Sequence, residues 1–188
     1  QKYPMESIND FASNYDHKKA KELSGRDITN NAILPLLKTL PSAFKYDVIG
    51  HSEQNRPIYG VKGGAGNTKI LIWSQMHGNE STCTKALFDV FKVMNLPEFD
   101  IILKKCSLFV IPILNPDGAE VYTRQNANQI DLNRDAIDLS QAESRVLRGE
   151  FDAFEPHYGF NMHDQRTLFN VGEKAIPATI SFLSPAQN

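Results

Sequence analysis

The sequence predicts an α/β layered fold, and three observations carry the prediction. "KILIW", from Lys69, and "CSLFVIPIL", from Cys106, are apolar runs of strand length, the pattern of strands covered on both faces. Between them, residues 81–95 place Cys83, Leu87, Val90, Phe91 and Met94 at helical spacing, one apolar stripe suited to packing on a sheet. Buried strands alternating with helices belong to α/β architectures. In such folds ligands sit beyond the carboxyl ends of the strands.

The remaining elements follow in chain order. Residues 28–40 read as a helix with Ile28, Ile33, Leu36, Leu37 and Leu40 as its apolar positions and Pro35 inside the pattern. "YDVIGHSEQNRPIYGVKGG" reads as two strands around a polar turn. In "NPDG", Asn115, Pro116, Asp117 and Gly118 each favour a tight bend. "LSQAESRVLRGEFDAF" reads as a helix with Ser140 as N-cap and Glu143 three residues on, as in a capping box. "YGFNMHD" and "TLFNV" read as short strands, and "ATISFLSPAQN" as one more.

A chain of 188 residues is read as a single domain, residues 1–188, with room for a sizeable core. Its net charge of −2 and pI near 6.2 argue against a nucleic-acid partner held through phosphates. The basic stretch "HKKAKELSGR" reads as a solvated helix face. No apolar run approaches the ~20 residues that span a bilayer. Gln1 stands where an initiator Met is expected. Either a signal has been removed ahead of it, the extracytoplasmic (periplasmic or secreted) reading favoured here, or the sequence was begun at that point. Cys83 and Cys106 are too few for a disulfide scaffold and read as two buried thiols.

The functional signal begins at "SQMHGNEST", where His77 and Glu80 follow a buried strand. With 5 histidines in the chain, chance supplies roughly 0.3 such pairs, so the pair alone decides nothing. Catalytic zinc takes three protein ligands from His and carboxylates and leaves a position for water. His77 and Glu80 would supply two from one turn. His163, at the end of a later strand, is the best third candidate. His51 is a weaker rival, His17 lies in a charged helix, and His157 stands at the opposite end of its strand. The polar loop "PILNPDGAEVYTRQNANQIDLNRD" carries Arg124, Asn133 and Arg134, and guanidinium groups suit bidentate recognition of carboxylates.

"HGNE", "NPDG", "TRQNANQIDLNR" and "NMHD", in that order and spacing, resemble the zinc carboxypeptidases over about residues 46–171. The resemblance implies a three-layer α/β/α fold with a mixed, mostly parallel central sheet. It implies that His77, Glu80 and His163 hold one zinc ion. Arg124 would polarise the scissile carbonyl and hold the oxyanion. Asn133 and Arg134 would clamp the carboxylate of a peptide or small amide substrate. Asp131 would orient His77 through its second ring nitrogen. The implied reaction is hydrolysis of the C-terminal peptide bond.

The family also uses a glutamate as general base, well downstream of the third ligand. The tail offers only Asp164, expected to point to the opposite face of its strand from His163, and Glu173, expected in a surface turn. The expectation is therefore a domain truncated before its base, with its sheet incomplete on the C-terminal side, that binds zinc but turns over little. Gln129 stands where the family often has Gly, and Asp135 stands beside Arg134 where it would weaken the clamp or shift preference away from ordinary C-terminal residues. Two rival functions share these motifs. One is a zinc deacylase of small N-acyl amino acids, resembling aspartoacylase and succinylglutamate desuccinylase. The other is a non-catalytic zinc- and carboxylate-binding module.

Overall fold

The computed structural model describes Ser13, Tyr15 and residues 19–164. His17, Glu173 and the strands expected at residues 167–171 and 178–188 lie outside the described residues. Helix α1 (Asn30–Lys38) leads into strands β1 (Phe44–His51), β2 (Pro57–Gly63) and β3 (Thr68–Trp73). Helix α2 (Thr82–Val93), a 3-10 turn (Pro97–Phe99) and helix α3 (Asp100–Lys105) precede strand β4 (Cys106–Ile111). Helix α4 (Pro116–Glu120), helix α5 (Ala142–Phe154) and strand β5 (Tyr158–Asn161) complete the described elements.

The strands form one open sheet in the order β1-β2-β4-β3-β5. β1 to β2 and β2 to β4 are antiparallel, while β4 to β3 and β3 to β5 are parallel. The sheet is therefore mixed, and its parallel half carries the site. The two-residue period of β4 explains the layering. Leu108 and Val110 face a core with Ile33 and Leu37 of α1 and Leu87, Phe88 and Phe91 of α2. Phe109 and Ile111 face a second core with Ile58 and Leu71, closed by Val146, Leu147 and Phe154 of α5. Both faces of the sheet are covered, as the unbroken apolar runs predict.

Boundaries shift where polar contacts outvote local pattern. α1 keeps Pro35 inside it because Ile33 and Leu37, on either side, are fully buried. The lost i−4 hydrogen bond is outweighed by that packing. "NPDG" forms no isolated tight bend. Asn115 caps α4 by accepting the Gly118 N–H, and Pro116 takes the first helical position, where its missing N–H has no cost. Ser140 is not the N-cap of α5, which begins at Ala142. Asp135 accepts the Ser140 and Gln141 N–H groups, and Glu53 accepts the Ala142 N–H. These carboxylates satisfy donors that the expected capping box would have served. Glu143 is fully buried and instead accepts from Asn126 Nδ2 and the Glu53 N–H. Cys83 and Cys106 are free thiols, half-buried rather than buried.

Candidate metal centre

β3 ends at Trp73, and the chain turns sharply to carry His77 and Glu80 above the carboxyl edge of the sheet. Ser74 and Gln75 are fully buried in that turn. Gln75 has a φ of 44°, a left-handed conformation that costs a non-glycine residue about 1–3 kcal/mol. Its side chain offsets that strain by donating to the carbonyls of Ile28 and Gly78. The turn packs directly on α4. A Cβ on Gly78 would stand 2.0 Å from the Gly118 carbonyl carbon and 2.2 Å from the Ala119 nitrogen. "HGNE" and "NPDG" thus meet as two backbones in contact.

Across the sheet, β5 lies parallel to β3 and delivers His163 two residues beyond Asn161. Glu80 sits between the two imidazoles. His77 Nδ1 lies 3.0 Å from Glu80 Oε1, and His163 Nδ1 lies 2.8 Å from Glu80 Oε2. The ring centroids of His77 and His163 are 4.8 Å apart. One ligand atom from each of His77, Glu80 and His163 falls within 4.8 Å of the others, and among the described residues this is the one such group. Two imidazole nitrogens and a carboxylate are a donor set that catalytic zinc accepts. His51 is exposed at the end of β1. His157 accepts the Lys69 N–H at the start of β5, so neither rival joins the group.

The surroundings favour ionised carboxylates at the centre. Burial pushes the Glu80 carboxyl up, but hydrogen bonds with His163 and His77 outweigh it and hold it at about 2. Burial also pushes Asp131 up, and contacts to His77 and Arg124 bring it below its ordinary value. Asp131 Oδ1 lies 2.9 Å from His77 Nε2. Asp131 is placed to accept from Nε2–H, which would leave Nδ1 as the ring nitrogen available to a metal. Arg124 donates through Nε to Asp131 Oδ2 at 3.0 Å, and its NH1 stands 3.5 Å from Glu80 Oε1. One guanidinium therefore bridges the two carboxylates and borders the centre.

Asn133 and Arg134 stand in the same loop. Asn133 N–H donates to Asp131 Oδ1, and Asn133 Oδ1 accepts from Asn161 Nδ2 at 3.3 Å. Arg134 is exposed and makes no side-chain ion pair among the described residues. Asn126 organises the loop behind them. Its Oδ1 accepts the Asn128 and Ile130 N–H groups, and its Nδ2 donates to Gln141 and Glu143. Gln129 takes a φ of 61°, so the loop bends in the conformation a glycine would adopt, at a cost of about 1–2 kcal/mol.

Two expectations are corrected. Asp135 makes no ion pair with Arg134 among the described residues: it is buried and engaged by Ser140 and Gln141. Asp164 does not point away from the centre: its carboxylate accepts the Thr82 N–H. Asn161 and Asn126 escaped notice in the sequence. The place of Asn161 at the carboxyl end of a strand was the available signal for the first, and an Asn opening a turn for the second.

Asp135 yields a pH prediction. Burial pushes its carboxyl up, but hydrogen bonds from Ser140 and Gln141 outweigh it and hold it at about 2, against an ordinary 3.8. A carboxyl whose pKa is lowered on folding stabilises the fold above its unfolded pKa, and that contribution is lost as pH falls toward the folded value. The shift corresponds to about 2 kcal/mol. Urea unfolding should show Asp135→Asn less stable than wild type at pH 6 by about that amount. The gap should narrow as pH falls from 4 toward 2.

The zinc carboxypeptidase model matches residues 30–171, which include every residue of the centre. The chain belongs to the zinc carboxypeptidase family. It is 30% identical over 126 residues to probable carboxypeptidase 2 of Trichophyton verrucosum, covering 64% of this chain and 24% of that protein. Carboxypeptidase 2 of Trichophyton tonsurans is 31% identical over 126 residues, covering 64% of this chain and 23% of that protein. The chain thus spans about a quarter of the length of the curated relatives it matches. Among solved structures, it superposes on a metallo-carboxypeptidase from Burkholderia cenocepacia with a TM-score of 0.64 at 21% identity, covering 71% of this chain and 39% of that one. Carboxypeptidase A from Helicoverpa armigera gives 0.62 at 20% identity, covering 86% and 53%. These likenesses bear out the α/β carboxypeptidase fold.

Proposed function

We propose that this chain carries the metal- and carboxylate-binding part of a metallocarboxypeptidase that hydrolyses the C-terminal peptide bond of peptides. The observation that carries the reading is the convergence of His77, Glu80 and His163 from two strands, with Arg124 and Asp131 beside them. His77, Glu80 and His163 would hold one zinc ion, which when bound lowers the pKa of water and polarises a carbonyl. Asp131 keeps the His77 ring in the tautomer that offers Nδ1 to the metal. Arg124, already bordering the centre, supplies donors where negative charge develops on the carbonyl oxygen. An oxyanion donor of this kind is worth about 2.7–4 kcal/mol in the transition state. Arg134, exposed and without a described ion pair, and the Asn133 amide bind the terminal carboxylate. That clamp selects the free C-terminus of the substrate.

The described carboxylates at the centre are all engaged. Glu80 and Asp131 face imidazole and guanidinium groups, and Asp164 is committed to the Thr82 N–H. Among the described residues, none of these carboxylates is placed to accept a proton from water.

Hydrolysis assays on the full-length protein test the substrate class. Peptides with a free C-terminus should turn over, and the same peptides amidated at the C-terminus should not. Arg134→Ala should raise KM for the free peptides. Turnover of N-acyl amino acids alone would replace the peptidase reading with the deacylase reading.

A further inference from the structure

His163 is the ligand with the least support of its own. It follows β5, a four-residue strand whose first three residues are exposed. Its side chain is 32% exposed, against 2% for His77. It also reaches Glu80 across 83 positions of sequence. His77 and Glu80 share one buried turn, so their separation is set locally. The position of His163 must be set by tertiary contacts.

Three contacts do this. Both carboxylate oxygens of Asp164 accept the Thr82 N–H, at 3.2 and 3.0 Å. The Asp164 N–H donates to Glu80 Oε2 at 3.3 Å, the oxygen that His163 Nδ1 also meets. Cys83 Sγ donates to the His163 carbonyl at 3.6 Å. Thr82 is the first residue of α2, and its N-cap Ser81 makes no side-chain cap. The Thr82 N–H therefore has no intrahelical partner, and the positive end of the helix favours a carboxylate there. The acid that caps α2 is the residue that follows the third ligand.

We propose that Asp164 is a positioning residue for the metal centre: by clamping onto the Thr82 N–H it holds His163 against Glu80, and so sets zinc affinity without touching the ion. The proposal rests on the zinc reading above and deepens it. It assigns the acid next to His163 a role in the centre other than that of general base.

Competition titrations of the 188-residue chain against a zinc chelator test it. Asp164→Ala should weaken zinc binding about 10–100-fold, as loss of a partner that orients a ligand does elsewhere. Asp164→Asn should recover most of the loss, because its amide oxygen still accepts the Thr82 N–H. Unchanged affinity in Asp164→Ala overturns the proposal. So does Asp164→Asn binding as weakly as Asp164→Ala, since the carboxylate charge would then be acting directly. A lower metal-free melting temperature with unaltered affinity would show a purely structural role and also overturns it. Amide exchange at Thr82 in the unmodified chain reads the clamp without any substitution: it should be slow, and fast exchange overturns the proposal. If the unmodified chain binds no zinc, the ligand assignment itself falls. If it binds and Asp164→Ala binds as tightly, only the role of Asp164 falls.

Discussion

His77→Ala is expected to abolish tight zinc binding by this chain. His77 is 2% exposed and meets Glu80 through Nδ1 and Asp131 through Nε2. The substitution removes one of three donors and frees the carboxylate that orients it. The loss should therefore exceed the 10–100-fold typical when only an orienting partner is removed. The metal-free protein should suffer as well. Glu80, 5% exposed, keeps its charge through hydrogen bonds with His163 and His77. Without His77, one of its oxygens faces Arg124 alone at 3.5 Å. A buried acceptor left short of partners costs about 1–3 kcal/mol. Chelator competition and chemical unfolding, each on wild type and variant, check the two effects separately. Unchanged zinc affinity in His77→Ala would mean that the ligand set is wrong.

Gly78→Ala should be the most damaging single methyl in the site. The added Cβ would lie 2.0 Å from the Gly118 carbonyl carbon, 2.2 Å from the Ala119 nitrogen and 2.5 Å from the Gly118 oxygen. All three are backbone atoms, so no rotamer change relieves the clash. The "HGNE" turn and α4 must separate, which shifts His77 and Glu80 together. Overpacking of this kind costs about 1–3 kcal/mol, occasionally more. Zinc affinity should fall with stability. Gly149→Ala is the matched control. Gly149 is exposed within α5, and nothing lies within 4 Å of its added Cβ. There the methyl should stabilise by about 0.5–1 kcal/mol through helix propensity. Urea midpoints moving in opposite directions would confirm that the effect belongs to the contact between the two turns.

Much of this architecture was legible because burial writes itself into the sequence. β3 and β4 show as unbroken apolar runs, and their side chains do fill the two cores on opposite faces of the sheet. The stripe on α2 shows as helical spacing, with Leu87 and Phe91 buried as expected. His77 and Glu80 were legible as a pair on a strand end, and His163 as a histidine at the end of another. Their meeting depended on β5 pairing parallel to β3, which no local pattern states.

What stayed hidden depends on partners distant in sequence. Ser140 and Glu143 have the spacing of a capping box, yet the α5 start is served by Asp135 and Glu53. Asp164 reads as outward-facing by strand alternation. β5 has already ended at Asn161, so the two-residue period no longer governs where Asp164 points. Asp135 reads as an acid beside Arg134, because sequence adjacency says nothing of burial. Its carboxylate turns inward to Ser140. In each case a hydrogen bond outside the local pattern decided where the carboxylate points.

Zinc-edge X-ray absorption on the metal-loaded 188-residue chain tests the central claim most directly. The account predicts one zinc with two imidazole nitrogens at about 2.0–2.1 Å and oxygen ligands at about 2.0–2.2 Å in a four-coordinate site. In His163→Ala loaded at saturating zinc, loss of one imidazole contribution would complete the assignment. A sulfur scatterer at about 2.3 Å would bring in a cysteine and contradict it. A spectrum without imidazole scattering would contradict it equally.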